Sequence, residues 1–231
     1  MSDAGRVDTV SRQSSEVAVN VKTITVGAFQ ENCYLVVDDR SNRAVIVDPG
    51  SEGERLVDAI ESSGATLDAI WITHAHVDHV GAVASVKRKW DVPIYLHPLD
   101  RRLYEAASRQ AEVYGLPFEE PPAPDQEFSD GQRLKVGDAE MMVIHTPGHA
   151  PGHVVIHGNG IALVGDCLFA GSIGRTDLPF SNPPQLAASL EKISALSPET
   201  VVYPGHGMET TIGQERLSNP FLNGTARIVG R

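Results

Sequence analysis

"LDAIWITHAHVDH", residues 67–79, sets an apolar run directly against three histidines and an aspartate. Leu67 to Ile72 reads as a buried strand, because β-branched and aromatic residues crowd a short segment that lacks a helical period. His74 and His76, two apart, cannot share a helix face. An irregular loop at the strand end must therefore aim them, while Asp78 and His79 open the following helix. A divalent metal explains the crowding, since nitrogen and oxygen ligands must converge to about 2.0–2.2 Å from one ion. Four candidates within six residues exceed what one tetrahedral ion with an open position needs, which leaves room for two. The alternative for this segment alone is a solvated histidine-rich loop.

The same arrangement recurs downstream. "MMVIHTPGH" ends at His149, "IALVGD" at Asp166 and "VVYPGH" at His206, each candidate following a glycine that allows a tight turn. Between these points "VNVKTITVG", "CYLVVDD" and "RAVIVDPG" read as strands, and "SEGERLVDAIESSG" as a helix with a glycine stop. "VDHVGAVASVKRKW" and "LDRRLYEAASRQAEVYG" each predict one helix, "VPIYLHP" a strand, and "LPFEEPPAPDQ" a proline-rich surface loop. The later half gives strands near "RLKVG", "AEMMVIHTPG", "GHVVIHGNG", "GIALVGDCLF" and "ETVVYPG", with a hairpin at "HGNG" and helices in "PPQLAASLEKISAL" and "ETTIGQERLSN". Two groups of strands, each followed by helices, predict an α+β fold of two facing sheets with helices outside.

With 231 residues and 41% apolar content, the chain suffices for one core. Residues 19–231 are expected to form a single domain behind a polar, serine-rich tail over residues 1–18. Nineteen basic against thirty acidic residues leave a net charge of −11, which repels phosphate backbones and anionic membranes. Neither a nucleic acid nor a membrane is an expected partner. No signal-peptide stretch or bilayer-length apolar run is visible, so the expected location is the cytoplasm. Cys33 and Cys167 are expected to be reduced core thiols. His97, His145, His153 and His157 read as structural or surface histidines, and the oligomeric state is not legible.

"THAHVDH", "TPGH", "GD" and "PGH", in this order, resemble the metallo-β-lactamase superfamily. Within it "QENCYLV", "TPGHAPGH", "GDCLFAGSIGRTDLP" and "YPGHGMETTIGQERLSNPF" look most similar to the compact bacterial hydroxyacylglutathione hydrolases of the glyoxalase II type. The resemblance implies a four-layer αβ/βα sandwich with two divalent metal ions along one edge, zinc foremost, with iron or manganese as alternatives. It implies His74, His76 and His149 around one ion, Asp78, His79 and His206 around the other, and Asp166 bridging them. Asp48 resembles the family acid that orients a ligand imidazole; it reads equally as a turn residue before Pro49 and Gly50. The implied reaction is hydrolysis of a small thioester such as S-D-lactoylglutathione by a metal-bound hydroxide, with Asp78 both ligating and orienting the hydroxide. Arg175 is a candidate for a substrate carboxylate, or an anchor to Asp177. Twenty-five residues follow His206, too few for the C-terminal helical region with which longer glyoxalase II enzymes hold glutathione. The rival reading is a persulfide dioxygenase with one iron held by His74, His149 and Asp166. A noncatalytic metal-binding module, a β-lactamase and a nuclease rank below it.

Overall fold

The computed structural model describes residues 19–228; the tail expected over residues 1–18 lies outside the described residues. A first six-stranded sheet runs, in spatial order, β1 (Val19–Val26), β2 (Glu31–Asp38), β3 (Arg43–Val47), β4 (Thr66–Trp71), β5 (Ile94–Leu96) and β6 (Gln126–Glu127). Strands β1 to β3 are antiparallel and β3 to β6 parallel. Parallel neighbours need crossovers, and these are supplied by α1 (Gly53–Ser63), α2 (Val77–Val80), α3 (Val83–Lys89), α4 (Arg101–Glu105) and α5 (Ala107–Tyr114). The second sheet combines β7 (Arg133–Val136), β8 (Ala139–His145), β9 (Val154–Gly158) and β10 (Ile161–Gly165). The short ribbon β11 (Leu168–Phe169) and β12 (Ser172–Ile173), then helix α6 (Pro183–Ser194), precede β13 (Val201–Pro204), β14 (Thr210–Thr211) and α7 (Ile212–Ser218). Spatial order in the second sheet is β14-β13-β10-β9-β8-β7.

Three apolar clusters hold four layers together. Leu56 and Ile60 of α1 and Val83 and Val86 of α3 pack on Ile46 and Ile70 of the first sheet. Val45, Val47 and Trp71, on that sheet's other face, meet Val143, Ile156 and Leu163 of the second. Val155, Ala162 and Val164 then face Leu186, Leu190 and Ile193 of α6. The period of two along each strand sends neighbours to opposite clusters. The inner strands β2, β3, β4 and β10 are therefore buried on both faces and read as continuous apolar runs, while β1, β7 and β8 alternate buried with exposed residues. Each fully buried branched side chain contributes about 1.5–3 kcal/mol. Cys33 and Cys167 are buried and free within these clusters, as expected. Among the described residues no helix is long and apolar enough to cross a membrane.

Two expected helices are divided. The helix expected over residues 77–90 stops at Gly81 and restarts at Val83, because the chain passes tightly under the turn that follows β3. Ala82 N–H donates to Pro49 O at 2.9 Å, and a Cβ on Gly81 would lie 2.4 Å from Gly50 O. The second expected helix, over residues 99–115, becomes a single-turn 3₁₀ helix at Pro98–Asp100 followed by α4 and α5. Its bend at Ala106 lets α5 lean on α2, where Gln110 Oε1 accepts from Val77 N–H at 3.3 Å. The proline-rich loop is irregular until Gln126, which pairs as β6 at the sheet edge.

Candidate metal centre

Every candidate ligand sits where a strand gives way to a turn. His74 follows β4, His76 precedes α2, and Asp78 and His79 occupy its first turn. Asp166 follows β10 and His206 follows β13. These strands lie in different sheets, so the sandwich alone brings their ends to one edge. The expected ligands fall into two groups with atoms within 4.8 Å of one another, His74, His76 and His149, and Asp78, His79 and His206, and Asp48 forms a third such group with His74 and His79 behind them. Asp166 stands between the first two. Its Oδ1 is 3.4 Å from His79 Nε2, and its Oδ2 is 3.4 Å from His149 Nε2 and 3.7 Å from His206 Nε2. Gly205 permits this, since a Cβ there would lie 2.2 Å from Asp166 Oδ1.

Oxygen acceptors set the imidazole tautomers. His149 Nδ1 donates to Arg175 O at 2.9 Å, His206 Nδ1 to Phe29 O at 3.1 Å and His79 Nδ1 to Asp48 Oδ2 at 3.0 Å. Asp48 sits in the left-handed region with φ 50°, as a turn residue does, and its carboxylate is also the acceptor that faces the His79 ring. Its carboxylate also accepts from Thr73 N at 2.7 Å and Thr73 Oγ1 at 2.6 Å. The Thr73 hydroxyl, having given its proton to Asp48, accepts from His74 Nδ1 at 3.2 Å. Each of these four rings thereby turns its Nε2 inward.

The buried atoms His74 Nε2, His79 Nε2 and Asp166 Oδ1 have no hydrogen-bond partner in the protein. Leaving such groups unpaired is costly, and three converging at one edge fit a cation. The electrostatics agree. Burial holds His74 well below the ordinary imidazole range and His76 down at about 3, and it lowers His149 as well. These three keep the lone pairs that a metal requires. Burial would raise Asp166, but His79 and His149 hold it ionised, far below the usual carboxylate range. His79 shows the converse: burial alone would lower it, and Asp166 and Asp48 raise it instead.

Four supporting residues escaped the sequence reading. Thr73, immediately before His74, carried no signal beyond adjacency. His153, read as structural, accepts from Asp166 N–H through Nε2 at 3.1 Å and meets Thr146 Oγ1 at 2.8 Å through Nδ1, so it steadies Asp166. Asp100 is fully buried and joins two ligand loops, its carboxylate accepting from Ala75 N at 3.0 Å and from Gly152 N. Glu31 lies buried behind His79, 3.8 Å from its Nδ1, and burial pushes its carboxyl well above the usual range. His97 and His145 stack on each other at 4.2 Å, outside the two ligand groups. Arg175 pairs bidentately with Asp177 at 2.9 and 3.0 Å.

A cavity of about 530 Å³ opens over His76, Asp78, His149, Asp166 and His206. Imidazoles and ionised carboxylates converging on a solvent-connected cleft, with buried nitrogens that no protein group engages, fit a metal-dependent hydrolase. The chain belongs to the metallo-beta-lactamase superfamily, whose family model matches residues 26–206. It is 42% identical over 210 residues to the hydroxyacylglutathione hydrolase GloC of Haemophilus influenzae, covering 89% of this chain and 99% of that protein. The crystal structure of TTHA1623 in a di-iron-bound form shares 46% identity and superposes with a TM-score of 0.82, covering 87% of this chain and 100% of that one. BLEG-1, a B3 metallo-beta-lactamase, shares 38% identity with a TM-score of 0.83, covering 89% of this chain and 100% of its own.

Proposed function

We propose that the protein hydrolyses a small thioester, of the S-D-lactoylglutathione kind, at a centre of two divalent metal ions, zinc or iron. His74, His76 and His149 would hold one ion, Asp78, His79 and His206 the other, and Asp166 would bridge them. The observation that carries this reading is Asp166, whose two oxygens address different ligand groups at 3.4 Å each. The relative named as a hydroxyacylglutathione hydrolase supports the thioester. When bound, such ions lower the pKa of water, polarise a carbonyl and neutralise developing negative charge.

The chain's own residues do the positioning. Asp78 lines the cavity, and Oδ2 stands 3.4 Å from His206 Nε2. From there its carboxylate accepts a hydrogen bond from the attacking water and orients it toward the thioester carbonyl. The C–O bond forms as the water yields one proton through the Asp78 carboxylate to solvent, the C–S bond breaks with its electron pair leaving on the thiolate, and the acid formed loses its own proton to solvent; a thiol of ordinary pKa near 8.5 needs no strong acid to depart. Asp48 and Thr73 keep His79 and His74 from turning away.

Thiol release from S-D-lactoylglutathione by metal-replete protein is the test, run beside His76→Ala and Asp166→Ala with metal content measured in each. Turnover should vanish in both variants while metal content falls. No wild-type turnover, with oxygen uptake on glutathione persulfide instead, would replace this reading with the single-iron dioxygenase.

A further inference from the structure

Away from the ligand groups the cavity wall is apolar. Phe29, Leu103, Val113, Phe169, Leu178 and Phe180 line it, and Phe29 meets Tyr114 edge to face at 5.2 Å. Val113, Tyr114 and Phe180 stay exposed at 80%, 51% and 57%, a surface suited to methylene groups. Two guanidinium groups share this cavity. Arg175 is already engaged, its Nε and Nη2 both bonded to the Asp177 carboxylate.

Arg109 differs. It lines the cavity from α5, and no hydrogen bond or ion pair engages it among the described residues. Ala106, Arg109, Gln110 and Val113 recur at helical spacing on the cavity side, while Ala107 and Ala111 are buried on the other. Gln110, bonded to Val77 N–H, ties α5 to the ligand-bearing helix, so the root of Arg109 is held beside the centre. On a chain of net charge −11, a guanidinium that lines a cleft and that no carboxylate engages among the described residues can take up an anion from outside. Its planar fork suits a carboxylate.

We propose that Arg109, not Arg175, is the specificity-determining cation, and that the substrate is a thioester whose aliphatic portion lies along the aromatic wall and whose carboxylate end pairs with Arg109. This rests on the thioesterase reading above. Its test compares wild type, Arg109→Gln and Arg175→Gln, all metal-replete, on two thioesters of one acyl group. S-D-lactoylglutathione carries carboxylates on its thiol; S-D-lactoyl-N-acetylcysteamine carries none. Arg109→Gln should lower the ratio of kcat/KM values, anionic over neutral, about tenfold through KM, the size of one partly solvated charge-assisted hydrogen bond. Arg175→Gln should move that ratio by less than about twofold, its charge being engaged within the protein. Equal losses on both substrates in Arg109→Gln, no loss on either, or a tenfold change in Arg175→Gln overturns the proposal. Calorimetric titration with S-hexylglutathione, a thioether that has no thioester bond, separates the two readings. Arg109-dependent binding without turnover of either thioester overturns the thioesterase and leaves the carboxylate site standing. Binding that Arg109→Gln does not weaken overturns the site.

Discussion

Replacing Thr73 by Val removes one hydroxyl and keeps the shape of the side chain. In the structure that hydroxyl donates to Asp48 Oδ2 at 2.6 Å and accepts from His74 Nδ1 at 3.2 Å, with Thr73, Asp48 and His74 all buried. The variant loses a hydrogen bond to a carboxylate, worth about 1.5–3 kcal/mol, and strands the buried imidazole N–H, at about 1–3 kcal/mol. Asp48 keeps its bonds to Thr73 N and His79 Nδ1, so the lower half of that range applies, about 3 kcal/mol in all. Urea unfolding of metal-free protein measures it. His74, no longer held in one tautomer, should also cost about 10- to 100-fold in metal affinity, read by competition with a chromophoric chelator. Thr73→Ser keeps the hydroxyl, loses only a methyl group and should stay within about 1.5 kcal/mol of wild type. Wild-type stability and affinity in Thr73→Val would refute the relay from Asp48 through Thr73 to His74. A Thr73→Ser variant as damaged as Thr73→Val would refute it too, because packing would then be the cause.

Gly205→Ala puts a methyl group 2.2 Å from Asp166 Oδ1 and 2.8 Å from the His79 ring; metal content and thiol release should fall together, and urea unfolding of the metal-free protein should show a loss of about 1–3 kcal/mol from overpacking. Asp100→Ala leaves the Ala75 and Gly152 N–H groups without their acceptor, two buried donors at about 1–3 kcal/mol each, so denaturant unfolding should show a loss of about 4 kcal/mol. Without metal, stability should fall as pH drops from about 6.5 toward 3: unfolded His76 takes up its proton near the first value and the folded residue only near the second. The raised His79 and His206 act in the opposite sense only above about 6.5, where the folded residues take up their protons first, so they leave the fall below that pH in place, and an acid-unfolding curve with and without chelator measures it. Chelator-treated protein that holds full stability to pH 4 would sink the assignment of neutral ligands.

Much of the architecture was legible because the determining pattern is local. Alternation and apolar runs announced the strands from Val19–Val26 to Val201–Pro204, and two strand groups with flanking helices announced two sheets. Element boundaries were less legible. Gly81 ended a helix early because Gly50 of a distant turn lies against it, and no window around residue 81 contains that neighbour. The short strands β6, β11, β12 and β14 likewise owe their pairing to partners and carry little pattern of their own.

The same division runs through the site. Residue type and spacing named His74, His76, Asp78, His79, His149, Asp166 and His206 from the chain alone, since metal ligands come from a small set of side chains and glycines mark where they turn. Which of them share a group, and that Asp166 stands between the groups, follows from the meeting of two sheets at one edge. Asp100 and His153 gave no such signal: a buried carboxylate and a buried imidazole acquire their tasks from backbone N–H groups that the fold alone brings within 3.0 and 3.1 Å. Arg175 and Arg109 are both arginines in the sequence, and only the tertiary structure engages one with Asp177 and leaves the other facing the cavity. Sequence determines which groups can ligate, because that is a property of the side chain. The fold decides which are oriented, buried and unpaired, because those properties belong to the neighbours.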